Sequence, residues 1–184
     1  TFGCLANLGR LETEGFDFGV KYRLPELSIG QFVIDWQNSY VSKYDTSAQN
    51  ADGDDIMVGG VGAPGIFRTR SNLGVNWSYG DFTANWTSRY YSGMSESCIA
   101  GRPCTDPDRI ANDSTSPIRK VGSNTFHDLQ LSWKAPWNAT VAIGANNVFN
   151  HRGPIMFTAP NSQFPYYGGF DIGRFMYMKY TQKF

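Results

Sequence analysis

The chain has 184 residues, with Lys+Arg and Asp+Glu equal at 16 each and a formal net charge of zero. That balance speaks against a nucleic-acid binder, which needs a basic surface to neutralise phosphates. Aromatic residues make up 15% and Gly numbers 20, yet no unbroken apolar run reaches the ~20 residues of a transmembrane helix; membrane-crossing strands need only ~9–11 alternating residues.

Residues Thr1 to Arg10 read as the end of a loop. No basic segment followed by an apolar one occurs there, so we expect either that a signal peptide has been removed or that the natural chain begins upstream. From Gly15 to Leu24, Phe16, Phe18, Val20 and Tyr22 alternate with Asp17, Gly19, Lys21 and Arg23, the period of a β-strand. After a turn at Pro25-Glu26, a second strand is expected from Leu27 to Tyr44, with Phe32, Ile34, Trp36 and Tyr40 on one face and Gln31, Asp35, Gln37, Ser39 and Lys43 on the other. Asp45 to Pro64 reads as a long Gly/Asp-rich connection.

The third strand, Ile66 to Tyr79, sets Phe67, Leu73, Val75, Trp77 and Tyr79 against Arg68, Arg70, Asn72, Asn76 and Ser78. A tight turn at Gly80-Asp81 leads to the fourth, Phe82 to Tyr90, and a second long connection runs from Ser92 to Ser123. The fifth strand, Asn124 to Trp133, turns at Lys134-Ala135-Pro136 into the sixth, Trp137 to Phe149. A third long connection, His151 to Gly169, precedes a seventh strand from Phe170 to Phe184, whose Met176, Met178, Tyr180 and Phe184 share a face.

Connections are short after strands one, three and five and long after two, four and six, the rhythm of an outer-membrane barrel with periplasmic turns and extracellular loops. Aromatic bands fit it: Trp77, Tyr79, Phe82, Trp133, Trp137, Tyr180 and Phe184 at the short-turn end, and Tyr40, Tyr44, Phe67, Tyr90 and Phe170 at the long-loop end. A soluble β-sandwich also alternates, but predicts neither the rhythm nor the two bands. Counting back from the last strand places the C-terminus in the periplasm. Single-chain bacterial barrels have even strand numbers from 8 upward, so seven strands imply more wall upstream.

The segment Gly144-Ala145-Asn146-Asn147-Val148-Phe149-Asn150, followed by the terminal strand from Gly173-Arg174-Phe175 to Phe184, resembles the last two strands of TonB-dependent outer-membrane receptors. The opening Asn7-Leu8-Gly9-Arg10 with Glu14-Gly15-Phe16 is similar to that family's approach to a barrel strand, although the acidic residue precedes the Gly here. The resemblance implies an all-β antiparallel transmembrane barrel of about 22 strands with a plugged lumen, residues 1–184 forming its C-terminal portion and the plug and earlier strands lying elsewhere. It implies uptake of a scarce nutrient (siderophore, vitamin, carbohydrate or peptide) from outside the cell, lipid contact on the outer wall, and engagement of the TonB complex through an N-terminal region. It also implies that Asp171, Gly173, Met176, Met178 and Phe184 form the signal by which the barrel-assembly machinery recognises its client, through edge-to-edge strand pairing. Two other classes make distinct expectations. A small structural or adhesive barrel of about eight strands predicts a complete chain scarcely longer than this one, and an outer-membrane enzyme predicts a Ser, His or carboxylate cluster at the long-loop rim.

Among candidate contacts, Arg68, Arg70 and Arg89 are expected to line the lumen with Asp35, Gln37, Asn72 and Asn85; a polar interior wall is also simply what such barrels have. Tyr166 and Tyr167, with Phe164, are candidate ligand-stacking residues in the third long connection, or pack that loop. Cys98 and Cys104, spaced C-x5-C among Gly, Pro, Asp and Arg, suit a small disulfide-closed loop in an oxidising compartment, which leaves Cys4 without a partner in the chain. Asp52, Asp54 and Asp55 lack the bidentate Glu of a Ca2+ loop and read as a solvated acidic tip. His127 is expected on a strand wall and His151 at a loop start, without metal-ligand spacing. No G-x-S-x-G, H-E-x-x-H or P-loop occurs, so neither catalytic site nor cofactor is expected.

Overall fold

The computed structural model describes residues 9–49, 52–97, 118–153 and 173–183. Among them are ten strands and no helix: β1 (Leu11–Arg23), β2 (Gln31–Gln49), β3 (Asp55–Gly59), β4 (Thr69–Tyr79), β5 (Phe82–Tyr91), β6 (Met94–Ser97), β7 (Ile118–Val121), β8 (Asn124–Ala135), β9 (Ala139–Asn146) and β10 (Phe175–Gln182). Seven of them lie side by side in the order β1-β2-β4-β5-β8-β9-β10, each antiparallel to its neighbour. These are the seven wall strands that the alternation predicts. β1 and β10 form the two edges of an open, unclosed sheet.

Three short strands were not expected. β3 folds back on the last five residues of β2, pairing Asp45–Gln49 with Asp55–Gly59, so the first long connection begins and ends as a hairpin. β6 and β7 pair only with each other, as a separate ribbon at the base of the second connection. All three runs are too short for a period-two pattern to distinguish from loop.

Turn chemistry fixes the short end. β4 and β5 are joined through Gly80, whose φ of 55° lies in the left-handed region that Gly adopts without penalty. β8 and β9 are joined through Pro136 to Asn138, the last with φ 57°. The β1–β2 connection is longer than the two-residue turn expected: β2 starts at Gln31, and Leu27 bridges Gly30 before it. Gly30 has φ 113°, and a Cβ there would stand 2.5 Å from the Ser78 carbonyl oxygen, while the Trp77 indole donates to Ile29 O at 2.7 Å.

Register carries one face unbroken across the wall. Phe18, Val20 and Tyr22 on β1 share it with Ile34 and Trp36 on β2, Leu73, Val75 and Trp77 on β4, Trp86 on β5, Leu129, Leu131 and Trp133 on β8, Ile143 on β9, and Met176 and Met178 on β10. Both of those methionines are 74% exposed and Phe16 is 62% exposed. A contiguous apolar face of this extent is foreign to a soluble monomer and is what a strand wall shows to lipid. The opposite face carries Lys21, Asp35, Gln37, Arg70, Asn72, Asn76, Asn85, Arg89, Asp128, Gln130 and Lys179.

At the short-turn end, one register row runs Tyr79, Phe82, Trp133, Val141, Tyr180, and Trp133 meets Trp137 edge-on at 5.4 Å. The described members of this aromatic band stand where they are expected; Phe184 lies outside the described residues. The band at the long-loop end is thinner than expected. Phe16 and Tyr40 stack at 5.2 Å and Tyr90 shares their face, but Tyr44 and Phe67 turn to the polar side; Phe170 lies outside the described residues.

Both departures have a local cause. Glu14 pairs with Lys43 and Gly15 with Val41, leaving Ser42 as an extra residue, a β-bulge that reverses the alternation above it. Gly15 suits this point because a Cβ there would come 2.3 Å from the Tyr40 carbonyl oxygen. Above the bulge, Thr13 and Tyr44 stand on the polar face, while Glu12, Glu14, Lys43 and Asp45 share the face of Phe16. Phe67 precedes β4 rather than belonging to it. Residues 60–66 form tight turns (Gly62 N to Ile66 O, 2.8 Å; Ile66 N to Ala63 O, 2.9 Å), which break the alternation before Thr69.

The described residues bury one apolar cluster, and it lies on the polar face at the long-loop end. Phe67 (2% exposed), Met94, Val121 and Phe126 (0%) pack together, with Tyr91 against them. The β6–β7 ribbon thus folds inward over the polar face, anchored by Met94 and Val121 and by Ser95 N donating to Gly62 O at 2.7 Å.

Candidate functional site on the polar face

The three arginines of interest have different surroundings. Arg89 on β5 lies across the strand pair from Asp128 on β8 and makes a two-pronged ion pair, Nε to Oδ2 at 2.9 Å and Nη2 to Oδ1 at 3.1 Å. Its side chain is only 10% exposed, and its guanidinium lies 5.5 Å from the Phe126 ring centre. A planar fork on a carboxylate is the strongest geometry open to this pair. Arg89 is therefore committed to holding the wall.

Asp128 extends that network. Its Oδ1 also accepts from the Asn147 backbone N–H at 2.7 Å. Asn147, 1% exposed with φ 51°, donates its amide to His151 O at 2.7 Å and accepts from His151 N at 2.9 Å. The His151 ring nitrogen Nε2 meets Asn124 Oδ1 at 2.8 Å. The Asn-Asn-Val-Phe-Asn run is thus the turn that ends β9 at Asn146, three residues short of the expected Phe149. Asn150 (φ 54°) closes it, accepting from Arg174 N at 3.0 Å and so tying the start of β10 to the end of β9.

Arg68 does not share this face with Arg70. It reaches the hydroxyl of Tyr40, which belongs to the apolar face, at 3.4 Å. The expectation that Arg68 lines the lumen fails because β4 begins at Thr69, three residues after the expected Ile66, and the turns before it break the alternation.

Arg70 does stand on the polar face. It donates to Gly65 O at 3.0 Å and lies 5.0 Å from the Phe67 ring centre, and among the described residues no carboxylate pairs with it. It borders a cavity of about 340 Å3 with Thr13, Ser39, Val41, Tyr44, Gly65, Ile66 and Phe67. Alternation alone does not reveal this cavity, because Thr13 precedes the expected first strand and Tyr44 is expected in the long-loop aromatic band. The one available signal was Gly15 directly after Glu14, since Gly inside a strand pattern marks a bulge.

Of the expected assembly residues, Gly173 precedes β10 with φ 91°, and Met176 and Met178 stand exposed on the edge strand's apolar face. Asp171, Phe184, Cys98, Cys104, Tyr166 and Tyr167 lie outside the described residues. His127 stands on the apolar face, stacked on Trp86 at 5.5 Å. Outside the polar face, Lys43 holds Glu12 at 2.5 Å and lies 3.8 Å from Asp45, with Arg10 also on Glu12. Hydrogen bonding by Lys43, then the charge of Arg10, holds the Glu12 carboxyl below its ordinary range, and the Glu12 hydrogen bond raises Lys43.

A two-faced antiparallel wall, apolar outside with aromatic bands and polar inside, is the wall of a membrane β-barrel. The model of the TonB dependent receptor-like β-barrel matches residues 2–148, and this chain belongs to that family. Its members are outer-membrane transporters rather than enzymes, and they work with TonB. β10 lies beyond the matched residues and continues the same sheet. No curated protein matches the chain.

Proposed function

We propose that the chain is the C-terminal portion of the barrel of a TonB-dependent receptor that captures a scarce nutrient at the cell surface and passes it through a plugged barrel of about 22 strands. The observation that carries this reading is the inward-folded β6–β7 ribbon. A wall whose long connections pack over its polar face narrows its own mouth, as a capture site requires, whereas a structural barrel has no such need. In this reading the long connections are extracellular, the Gly80 and Pro136 turns are periplasmic, and the last strand is the edge offered to the assembly machinery. The Cys98–Cys104 disulfide belongs to the same picture, in a compartment that permits it.

The deciding experiment joins mass and energy dependence. The protein extracted from the outer membrane, denatured and reduced, is expected to be several times heavier than 20.5 kDa, and uptake by cells carrying it should stop when TonB is deleted. A native chain near this mass would sink the proposal and leave a small barrel. Orientation is checked by labelling intact cells with a membrane-impermeant biotin reagent in a Cys-free background: Asp54→Cys should label and Asp81→Cys should not.

A further inference from the structure

We propose that the cavity beside Arg70 is a binding subsite for a small anionic group carried on a flat apolar body, such as an aromatic carboxylate. The inference rests on the receptor reading, since it gives the ligand side of the mouth its chemistry.

The lining divides into three kinds of surface that converge. Val41, Ile66 and Phe67 supply an apolar wall. Thr13, Ser39 and Tyr44 supply hydroxyls that have no hydrogen-bond partner among the described residues. Arg70 supplies a cation with one hydrogen bond to a carbonyl and no carboxylate. An apolar pocket with a few convergent polar groups is the usual form of a small-molecule site, and the volume, about 340 Å3, falls at the small end of that class. Arg89 provides the internal contrast: on the same face it is neutralised by Asp128. Arg70, at the mouth, has no counter-ion among the described residues. A guanidinium presents a planar fork suited to carboxylate, and its five donors exceed the single bond that Gly65 accepts.

The cavity is also placed to influence the ribbon above it. Phe67 forms one wall of the cavity and packs with Met94 and Val121. Gly65, whose carbonyl Arg70 holds, donates its own N–H to the Met94 sulfur at 3.4 Å. A ligand that draws Arg70 toward itself therefore loosens a bond at the foot of the ribbon.

The test titrates the full-length receptor, plug included, in detergent micelles with benzoate and with its neutral isostere benzamide, by calorimetry. Benzoate should bind saturably and at least tenfold more tightly than benzamide. Arg70→Gln should remove that preference, Ser39→Ala and Tyr44→Phe should weaken benzoate severalfold while keeping the preference, and Arg68→Gln should change nothing. Absence of saturable benzoate binding, equal binding of the two probes, or a preference that survives Arg70→Gln overturns the subsite; so does a plug carboxylate found to occupy it. TonB-dependent uptake is scored separately on the same strains. Intact uptake without benzoate binding removes the subsite alone, whereas TonB-independent behaviour removes the receptor reading.

Discussion

Tyr177 lies across Gly144: a Cβ built on that glycine would stand 2.5 Å from both the Cζ and the hydroxyl oxygen of the tyrosine. The two are register partners on β10 and β9, and the hydroxyl goes on to donate to Gln130 Oε1 on β8 at 3.2 Å. A glycine that weakens a strand by itself is thereby covered by a ring from the next strand, which links three strands at once. Gly144→Ala should force the ring away and cost about 1–3 kcal/mol, the usual penalty of overpacking. Urea unfolding of the refolded barrel in vesicles checks this, and Tyr177→Ser should recover part of the loss in the double variant.

The Arg89–Asp128 pair predicts an asymmetric outcome. Asp128→Asn leaves a nearly buried guanidinium short of its counter-charge and also loses the ionic acceptor for Asn147, so stability should fall by about 3 kcal/mol. Replacing both residues with apolar ones of similar volume should cost much less. Equal losses in single and double variants would show that the pair acts independently of its charge.

Facing is tested by two neighbours on β8. Leu131 is on the lipid side, 46% exposed, and Ser132 is on the polar side. Leu131→Arg should destabilise the barrel by ~2–4 kcal/mol if it lies near the bilayer midplane, while Ser132→Arg should be nearly neutral. Equal effects would mean that the two faces are misassigned.

The ion cluster above the bulge carries a pH dependence of defined sign. Glu12 has its folded pKa lowered, so its contribution is present above the ordinary carboxylate range and is lost as pH falls through the lowered value. Lys43 has its folded pKa raised, so its contribution is present below the ordinary lysine range and is lost as pH rises through the raised value. The pair is therefore intact across neutral pH. In Lys43→Met, the carboxyl 13C titration of Glu12 should move up toward the ordinary carboxylate range; an unmoved midpoint would remove Lys43 as the cause.

Most of the wall was legible because alternation and connection length are local. Trp36, Leu73, Trp86, Leu131 and Met178 declare their face through their immediate neighbours, and register then aligns them across strands. What stayed hidden depends on one residue changing the count. Ser42 looks like any polar strand residue, yet as the bulge it sends Tyr44 inward and Lys43 outward. The turns at residues 60–66 do the same to Phe67 and Arg68. Partnership was hidden for another reason: Arg89 and Asp128 are 39 positions apart, and nothing near either residue names the other. The Asn147 to Asn150 segment was recognisable as a motif, but its work as a turn bound to Asp128 appears only when β8 and β9 are side by side.

The buried cluster under the β6–β7 ribbon also sets an order of events. Phe67 comes from the approach to β4, Tyr91 from the end of β5 and Phe126 from the start of β8, so the surface that receives Met94 and Val121 exists only once those three strands have been joined. During biogenesis the ribbon has no seat until its part of the wall is complete. Its docking follows the joining of β4, β5 and β8, and a chain arrested before β8 has joined would display it undocked and more open to protease.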